Sequence, residues 1–159
     1  RLVSDWSSDV CSSDLGDGEQ WLALAGGSPL LALELSVKGE RALLDSLLGQ
    51  MLRGKGLDAV AAAAAVDKAV KAEKRPAPLK RSLEWAQKWL FDLTLGSQGL
   101  PPRYFVAHAP QLLRLAQDTD TRKLLAFNGK AIQYKAQCEQ PVNSRLFLEE
   151  FFLNYARLF

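Results

Sequence analysis

The stretch NSRLFLEEFFLNYARLF, residues 143–159, is the most aromatic segment of the chain. Asn143 or Ser144 can begin a helix there, because a short side-chain oxygen accepts a hydrogen bond from an unpaired amide of the first turn. At about 100° per residue, seven side chains fall on one broad face that the rest of the chain must bury. They are Phe147, Leu148, Phe151, Phe152, Tyr155, Leu158 and Phe159.

Two leucines of this helix fall on its other side. Leu146 and Leu153 lie there among Arg145, Glu149, Glu150 and Arg157. A second apolar pair, Phe91 and Leu95, falls in the same way among Glu84, Lys88 and Asp92. Joined apolar patches on a protein surface mark association sites. These four side chains therefore predict a partner interface, although a neighbouring helix of the same bundle could equally cover them.

Helical spacing and helix breakers divide the rest of the chain into further helices. The predicted helices cover residues 19–25, 29–35, 38–53, 57–74, 79–95, 109–116 and 119–139. Gly26-Gly27 can end the first helix by taking positive φ, and Ser28-Pro29 can begin the second. Because no segment shows strand alternation between hairpin turns, the predicted class is all-α, a helical stub followed by a five-helix bundle.

The predicted helix 119–139, capped by Asp118 or Thr119, has its own apolar face. Its apolar residues recur at intervals of three and four, which is typical of a helix that packs on a core. They are Leu124, Phe127, Ala131, Tyr134 and Cys138, with Leu125 and Ile132 beside them. Gly129 inside this helix costs about 1 kcal/mol relative to alanine and permits a close helix contact.

Composition limits the class of protein and its compartment. The chain has 159 residues, of which 48% are hydrophobic and 24% charged, an ordinary globular balance. The net charge of +2 is too small to indicate nucleic acid or a membrane as a partner, and no apolar run approaches the roughly 20 residues of a membrane span. Two cysteines, Cys11 and Cys138, form no disulfide framework, so a reducing, cytoplasmic location is expected.

Residues 1–17 differ from everything that follows. They show no sustained helical or strand period, and they resemble the reading-frame translation of a sequencing adapter. We therefore expect this segment to be non-native, with a real N-terminal part missing, and exclude it from fold reasoning. A natural polar linker is the alternative interpretation, and in either case Trp6 and Cys11 carry no functional weight.

Motifs for catalysis or for cofactor binding do not occur. The sequence has no GxxxxGK[ST], GxGxxG or HExxH pattern, so we expect no cofactor, no metal and no catalytic residues. His108 is interpreted as a turn residue, and Cys138 as a small buried hydrophobe. Glu149 and Glu150 diverge by about 100° on a helix and cannot easily share a proton or a metal ion. A small helical enzyme, lacking a nucleophile–base pair, is a weak alternative.

A basic stretch lies in the middle of the chain. Residues 68–81 carry six cations, Lys68, Lys71, Lys74, Arg75, Lys80 and Arg81, against Glu73 and the adjacent Asp67. Clustered cations can neutralise a phosphate backbone, so a stand-alone helical nucleic-acid-binding module is an alternative function. No aromatic side chain alternates with them as a stacking platform requires, which favours a solvated surface.

The order of elements resembles a known family. A helix ending in AGGSPLLAL, residues 25–33, precedes a bundle that contains Leu83-Glu84-Trp85 and ends in NSRLFL, residues 143–148. Over residues 19–159 this order resembles bacterial clamp-loader subunits, above all the delta-prime type of DNA polymerase III. The resemblance implies that residues 18–36 end an ATPase lid domain and residues 37–159 form a helical collar domain. It also implies hetero-oligomerisation with other clamp-loader subunits, with primed DNA contacted only indirectly.

Leu30 distinguishes between subtypes of this family. Relatives that hydrolyse ATP carry a sensor arginine in a Gly-Ser-x-Arg turn, whereas here Gly27-Ser28-Pro29 is followed by Leu30. A leucine side chain cannot stabilise phosphate charge. The resemblance therefore implies the delta-prime type, which does not hydrolyse ATP and supports clamp loading as a rigid stator.

Overall fold

The structure, a computed structural model, describes residues 12–37, 40–73, 77–138, 140 and 142–159, without the side chains of 12–17 and 37. Eight α-helices and two 3₁₀ turns follow one another in these residues, and no strand occurs among them, which confirms the all-α class. The helices are α1 Ser12–Leu24, α2 Pro29–Val37, α3 Arg41–Met51, α4 Ala59–Ala72, α5 Pro78–Ser97, α6 Ala109–Gln117, α7 Thr121–Gln137 and α8 Ser144–Ala156.

The helix boundaries differ from the predicted ones in two informative places. Helix α1 begins at Ser12, inside the segment for which no helical period was predicted. The described residues after 40 contain six α-helices, α3 to α8, which correspond to the six helices predicted from residue 38 onward, so the count of five for the bundle was one too few. The predicted breaker residues Arg75 and Pro76 lie outside the described residues, as do Trp6 and Cys11.

Asparagine or aspartate side chains cap the starts of three helices. Asn143 Oδ1 accepts from the amides of Arg145 and Leu146 at 3.1 and 3.3 Å, so Asn143 rather than Ser144 caps α8. Asp58 caps α4 in the same way. The predicted cap of α7 is wrong: Asp120 accepts from the first-turn amides there, whereas Asp118 ends α6 and the Thr119 hydroxyl donates to the Leu115 carbonyl.

The turn between α1 and α2 follows the sequence prediction. Gly26 and Gly27 take φ values of 67° and 88°, a region that side chains with a Cβ rarely adopt. Their amides donate to the carbonyls of Ala23 and Leu22, which satisfies the end of α1. The amide of Leu31 donates to Ser28 Oγ at 3.4 Å, so the serine caps α2 as predicted.

The aromatic face of α8 lies at the centre of the core. Six of its seven predicted side chains are buried, and Phe159 is half-buried. Tyr155 joins three helices, because its hydroxyl accepts from Trp89 Nε1 of α5 at 3.0 Å and donates to the Met51 carbonyl of α3 at 2.8 Å. Burial raises the pKa of Tyr155, so this hydroxyl remains a donor across the physiological range.

Among the described helices, α4 provides the most extensive packing surface for α8. Its alanines contribute little apolar area, but Ala62 and Ala63 are fully buried and let the phenylalanine-rich helix approach the α4 backbone. On the other side of the bundle, α5 packs between α6 and α7. Gly96 of α5 permits the contact with α6, since a Cβ there would lie 2.9 Å from Ala116 Cβ.

Buried carboxylates join elements that are distant in sequence. Asp92, which the sequence placed on the polar side of its helix, is fully buried, and that expectation is wrong. Its two oxygens accept from the amides of Arg103, Tyr104 and Phe105 at 2.8–2.9 Å, so it holds the loop after α5 against the helix. Glu40, also buried, pairs with Arg81 of α5.

The α1–α2 pair packs on the same core as the bundle. Trp21, Leu24 and Leu35 are buried in the cluster that contains the aromatic face of α8. Lys88 Nζ of α5 donates to the Leu24 carbonyl, where a cation complements the negative end of α1. Burial lowers the pKa of Lys88.

Candidate partner interface

The structure places Leu146 and Leu153 on the solvent-facing side of α8. Leu146 is 63% exposed and Leu153 is 48% exposed, although the opposite side of the same helix is the core of the molecule. On the same helix, Arg145 Nε donates to Glu149 Oε1 at 2.8 Å, and the two form a partly exposed ion pair. No other described helix covers either leucine to the extent of burying it, which leaves both available to a partner.

Phe91 and Leu95 lie in a different setting. Phe91 is exposed and packs its ring edge against Tyr104 at a centroid distance of 5.8 Å, whereas Leu95 is half-buried. Phe91 also lines a shallow cleft of about 410 Å³ with Glu84, Gln87, Lys88, Tyr104 and Lys135. That cleft is built from α5, α7 and the loop after α5. A single patch that joins these two residues with Leu146 and Leu153 remains a prediction.

Leu30 occupies the first turn of α2 and is 78% exposed. Leu31 and Leu33 of the same short helix are exposed as well. An apolar side chain therefore stands in open solvent at the position that the sequence singled out for its missing arginine. The neighbouring leucines make α2 an apolar surface rather than a charged one.

Two of the six cations in the basic stretch 68–81 form ion pairs with buried carboxylates. Lys71 Nζ donates to the buried Asp67 at 2.6 Å, and Arg81 pairs with the buried Glu40. Lys68 is exposed, and Lys74 and Arg75 lie outside the described residues. Cations that neutralise buried carboxylates are not free to neutralise phosphates, so these contacts weaken the nucleic-acid alternative.

Cys138, His108, Glu149 and Glu150 lie in surroundings that indicate structural rather than catalytic roles. Burial raises the pKa of the Cys138 thiol to about 11, with Lys80 opposing, so the thiol is protonated and a poor nucleophile. His108 ends a 3₁₀ turn before α6, and its pKa is lowered, chiefly by burial and then by Arg41. Glu149 and Glu150 diverge as predicted: Glu149 pairs with Arg145, and Glu150 accepts from the Tyr134 hydroxyl at 2.8 Å.

Helix α7 carries an exposed apolar stripe that its sequence pattern did not predict. Leu125 and Ile132 were placed beside the buried face, but they are 56% and 68% exposed, so that interpretation is wrong. The buried face of α7 is narrow and consists of Leu124, Phe127, Ala131 and Tyr134. Among the described helices, α5 is the most extensive neighbour of α7. Gly129 lies between the two exposed residues, and a Cβ there would meet no atom within 4 Å. The close helix contact that this glycine could permit is therefore not formed with the described residues.

A groove between α7 and the end of α8 was likewise not predicted from the sequence. Its walls carry Lys123 and Lys130 from α7 and Arg157 from the C-terminal end of α8. The spacing of seven residues between the two lysines was the available signal, because it places both on one side of a helix. The opposite wall belongs to the end of α8, and the helical pattern of α7 does not predict which helix lies beside it.

Neither a metal-binding cluster nor a membrane-spanning helix occurs in the part of the chain that the structure describes. They contain no cluster of three or more histidine, cysteine, aspartate or glutamate side chains arranged to hold a metal ion. Within the same part of the chain, no helix has the length and hydropathy to cross a membrane.

Exposed apolar residues lie on the outer sides of α2, α5, α7 and α8. Residues 41–157, about three quarters of the chain, match the family described as DNA polymerase III, delta subunit, C terminal. The chain therefore belongs to this family, which is a family of clamp-loader subunits with a role in clamp loading by DNA polymerase III. The match spans all six helices of the bundle, α3 to α8. No curated protein and no solved structure matches the chain.

Proposed function

We propose that this chain is the C-terminal part of a non-catalytic, delta-prime-type clamp-loader subunit that works in the cytoplasm. In this proposal, residues 37–159 form a collar domain that associates with the collar domains of other clamp-loader subunits. Residues 18–36 end the lid of an ATPase-type module, and primed DNA is reached only through the assembly. The family match supports the clamp-loader role, and Leu30 in place of a sensor arginine supports the delta-prime type.

The observation that carries the association role is the two-sided character of α8. Phe151 and Phe152 are buried in the core, so the helix is rigidly fixed. Leu146 and Leu153 project from its other side into solvent. A rigid helix with an exposed apolar stripe loses little conformational entropy on docking, which favours a specific subunit contact. Phe91 and Leu95 extend this proposed surface onto α5.

The packing of α1 on the bundle supports a stator rather than a hinge. The hydrogen bond from Lys88 to the Leu24 carbonyl joins the proposed lid end to the proposed collar. Trp21 and Leu24 are buried in the shared core. Such contacts resist relative movement, as a subunit that holds its neighbours in place requires.

Charge introduced at the exposed leucines tests the proposed contact. Leu146→Asp and Leu153→Asp should each weaken co-assembly with partner clamp-loader subunits by about tenfold or more, because an unpaired charge in an apolar interface is costly. Sedimentation velocity with the partner subunits measures this loss, and thermal unfolding should remain like that of the wild type. Leu125→Asp, at a similarly exposed leucine of α7, is the matched control and should assemble normally. Unchanged assembly by both α8 variants would refute the proposed interface.

A further inference from the structure

The groove between α7 and the end of α8 has a volume of about 690 Å³. Its apolar lining consists of Ala126 and Phe127 from α7 and Leu158, which follows α8. Asn154 is the polar, uncharged member of the lining. Its side-chain nitrogen is already used, since it donates to the Tyr134 hydroxyl and to the Glu150 carbonyl, both at 2.9 Å. The groove therefore offers an apolar floor rather than a polar binding pocket.

Large aromatic rings explain why the groove exists. Phe127 of α7 lies 5.3 Å from Phe151 of α8 between ring centroids, and Tyr134 lies 6.0 Å from the same ring. Rings of this size separate the two helix backbones where they pack. At the N-terminal half of α7, Ala126 is too small to fill the space that the rings create. The groove is consequently lined by two helices that the packed rings hold apart at a fixed distance.

The charges around the floor all have one sign. Lys123 and Lys130 lie on the α7 side, and Arg157 lies on the other side. None of the three forms an ion pair with a described residue, and no carboxylate lines the groove. The nearby Asp118 is paired with Lys55 at 3.8 Å, and Glu150 accepts from Tyr134. The positive charge of the rim is therefore not neutralised by an ion pair with any residue that the structure describes.

We propose that this groove binds an acidic amphipathic helix of a partner protein. Its apolar side chains would contact Ala126, Phe127 and Leu158, and its carboxylates would pair with Lys123, Lys130 and Arg157. An amphipathic helix laid in an apolar groove is a recurring mode of peptide recognition. Opposite charges at the rim would set its orientation and speed its association. The proposal goes beyond the subunit contact of α8, because neither Leu146 nor Leu153 lines the groove.

A nucleic acid fits the same surface less well. Single-stranded binding needs open aromatic faces on which bases stack, whereas the Phe127 ring is buried and turned toward Phe151. A phosphate backbone gains nothing from the apolar floor between the cations. The combination of apolar floor and cationic rim therefore selects an acidic peptide.

The probe is a fluorescently labelled amphipathic helical peptide made of leucine and glutamate, titrated with the chain and followed by fluorescence anisotropy. We expect the wild type to bind it, and Ala126→Glu or Lys130→Glu to weaken binding by about tenfold or more, since each places a carboxylate in the groove. Both residues are exposed, so the variants should fold normally. Lys68→Glu on α4 makes the same charge change as Lys130→Glu outside the groove and should change binding by less than about twofold.

Several results would overturn the proposal. One is that the wild type fails to bind the peptide, and another is that Lys68→Glu weakens binding as much as Lys130→Glu does. Competition by a DNA oligonucleotide that is lost in Lys130→Glu but not in Ala126→Glu would reassign the rim to nucleic acid. Self-association of the chain that Ala126→Glu abolishes would make a second copy the occupant. Leu146→Asp should retain peptide binding, so failure here and failure of the subunit contact are distinguishable.

Discussion

At the scale of single residues, the contacts that the sequence could not predict are those made with the backbone of a distant loop. Asp92 follows Phe91 in a helix, and its periodicity indicated a polar outer side. Its partners are amides 11 to 13 residues away, in a loop whose path no local pattern specifies. The caps Ser28 and Asn143 were predictable because each bonds to amides two or three residues ahead.

Replacing Asp92 should destabilise the fold strongly. Asp92→Ala leaves three loop amides without their acceptor, and we expect the free energy of unfolding to fall by about 3 kcal/mol or more. Asp92→Asn should cost less, because one carboxamide oxygen still accepts. Urea denaturation measures both changes.

Asp118→Ala is the control for this prediction. It removes an exposed carboxylate whose ion pair with Lys55 spans 3.8 Å, so its effect should stay within about 0.5 kcal/mol. If Asp92→Ala unfolded at the same urea concentration as the wild type, the carboxylate would not be holding the loop.

At the scale of elements, the packing of α8 on α4 combines a predictable and an unpredictable part. The aromatic face of α8 and the alanine face of α4 both follow from helical period. The hydrogen bond that joins the two helices, from the Ser144 hydroxyl to Asp67, connects positions 77 residues apart. Burial alone would raise the pKa of Asp67, but the hydrogen bonds from Lys71 and Ser144 hold that pKa below its ordinary value of 3.8.

The contact of Asp67 should make stability depend on pH. Because the pKa of the folded state is depressed, the stabilisation is present above the unfolded-state value of 3.8 and is lost as pH falls through the folded-state pKa. Asp67→Asn should therefore lower the free energy of unfolding by about 1 kcal/mol or more near neutral pH. The difference from the wild type should shrink as the pH is lowered below 3.8.

Urea denaturation at neutral and acidic pH checks this prediction, with Asp45→Asn as the control. Asp45 pairs with Arg41 on the exposed side of α3 at 3.0 Å, and its replacement should cost no more than about 0.5 kcal/mol at either pH. A difference between Asp67→Asn and the wild type that is constant with pH would show that the ionised carboxylate contributes nothing to the α4–α8 contact.

Which side chains are exposed on the outer surfaces of the helices was harder to predict than which are buried on their inner faces. Leu146 and Leu153 are surrounded by charged residues in the helical pattern, so their exposure could be inferred. Leu125 and Ile132 adjoin the buried face of α7 in the same kind of pattern, yet they are exposed. How much of a helix is covered depends on the distance and angle of its neighbours, and periodicity carries no information about either.

At the scale of the whole molecule, the described helices share one hydrophobic core, and exposed apolar side chains and a cationic groove lie on its surface. One hydrophobic cluster includes residues of α1 as well as of α8. The Trp89–Tyr155–Met51 hydrogen bonds join α5, α8 and α3 at its centre. The class of this architecture followed from sequence periodicity, and the family match agrees with the resemblance at the level of clamp-loader subunits. The α7–α8 groove arises only from the assembled helices, so no single stretch of sequence predicts it.

The central claim is that the outer stripe of α8 is the surface that meets neighbouring subunits, and burial of its side chains in the assembly tests it most directly. Hydroxyl-radical footprinting, read by mass spectrometry, compares the oxidation of individual leucines in the free chain and in the complex with partner clamp-loader subunits. We predict that Leu146 and Leu153 become protected by about tenfold while the exposed Leu125 reacts equally in both states. Equal oxidation of Leu146 and Leu153 with and without partners, in samples shown to be assembled, would contradict the account.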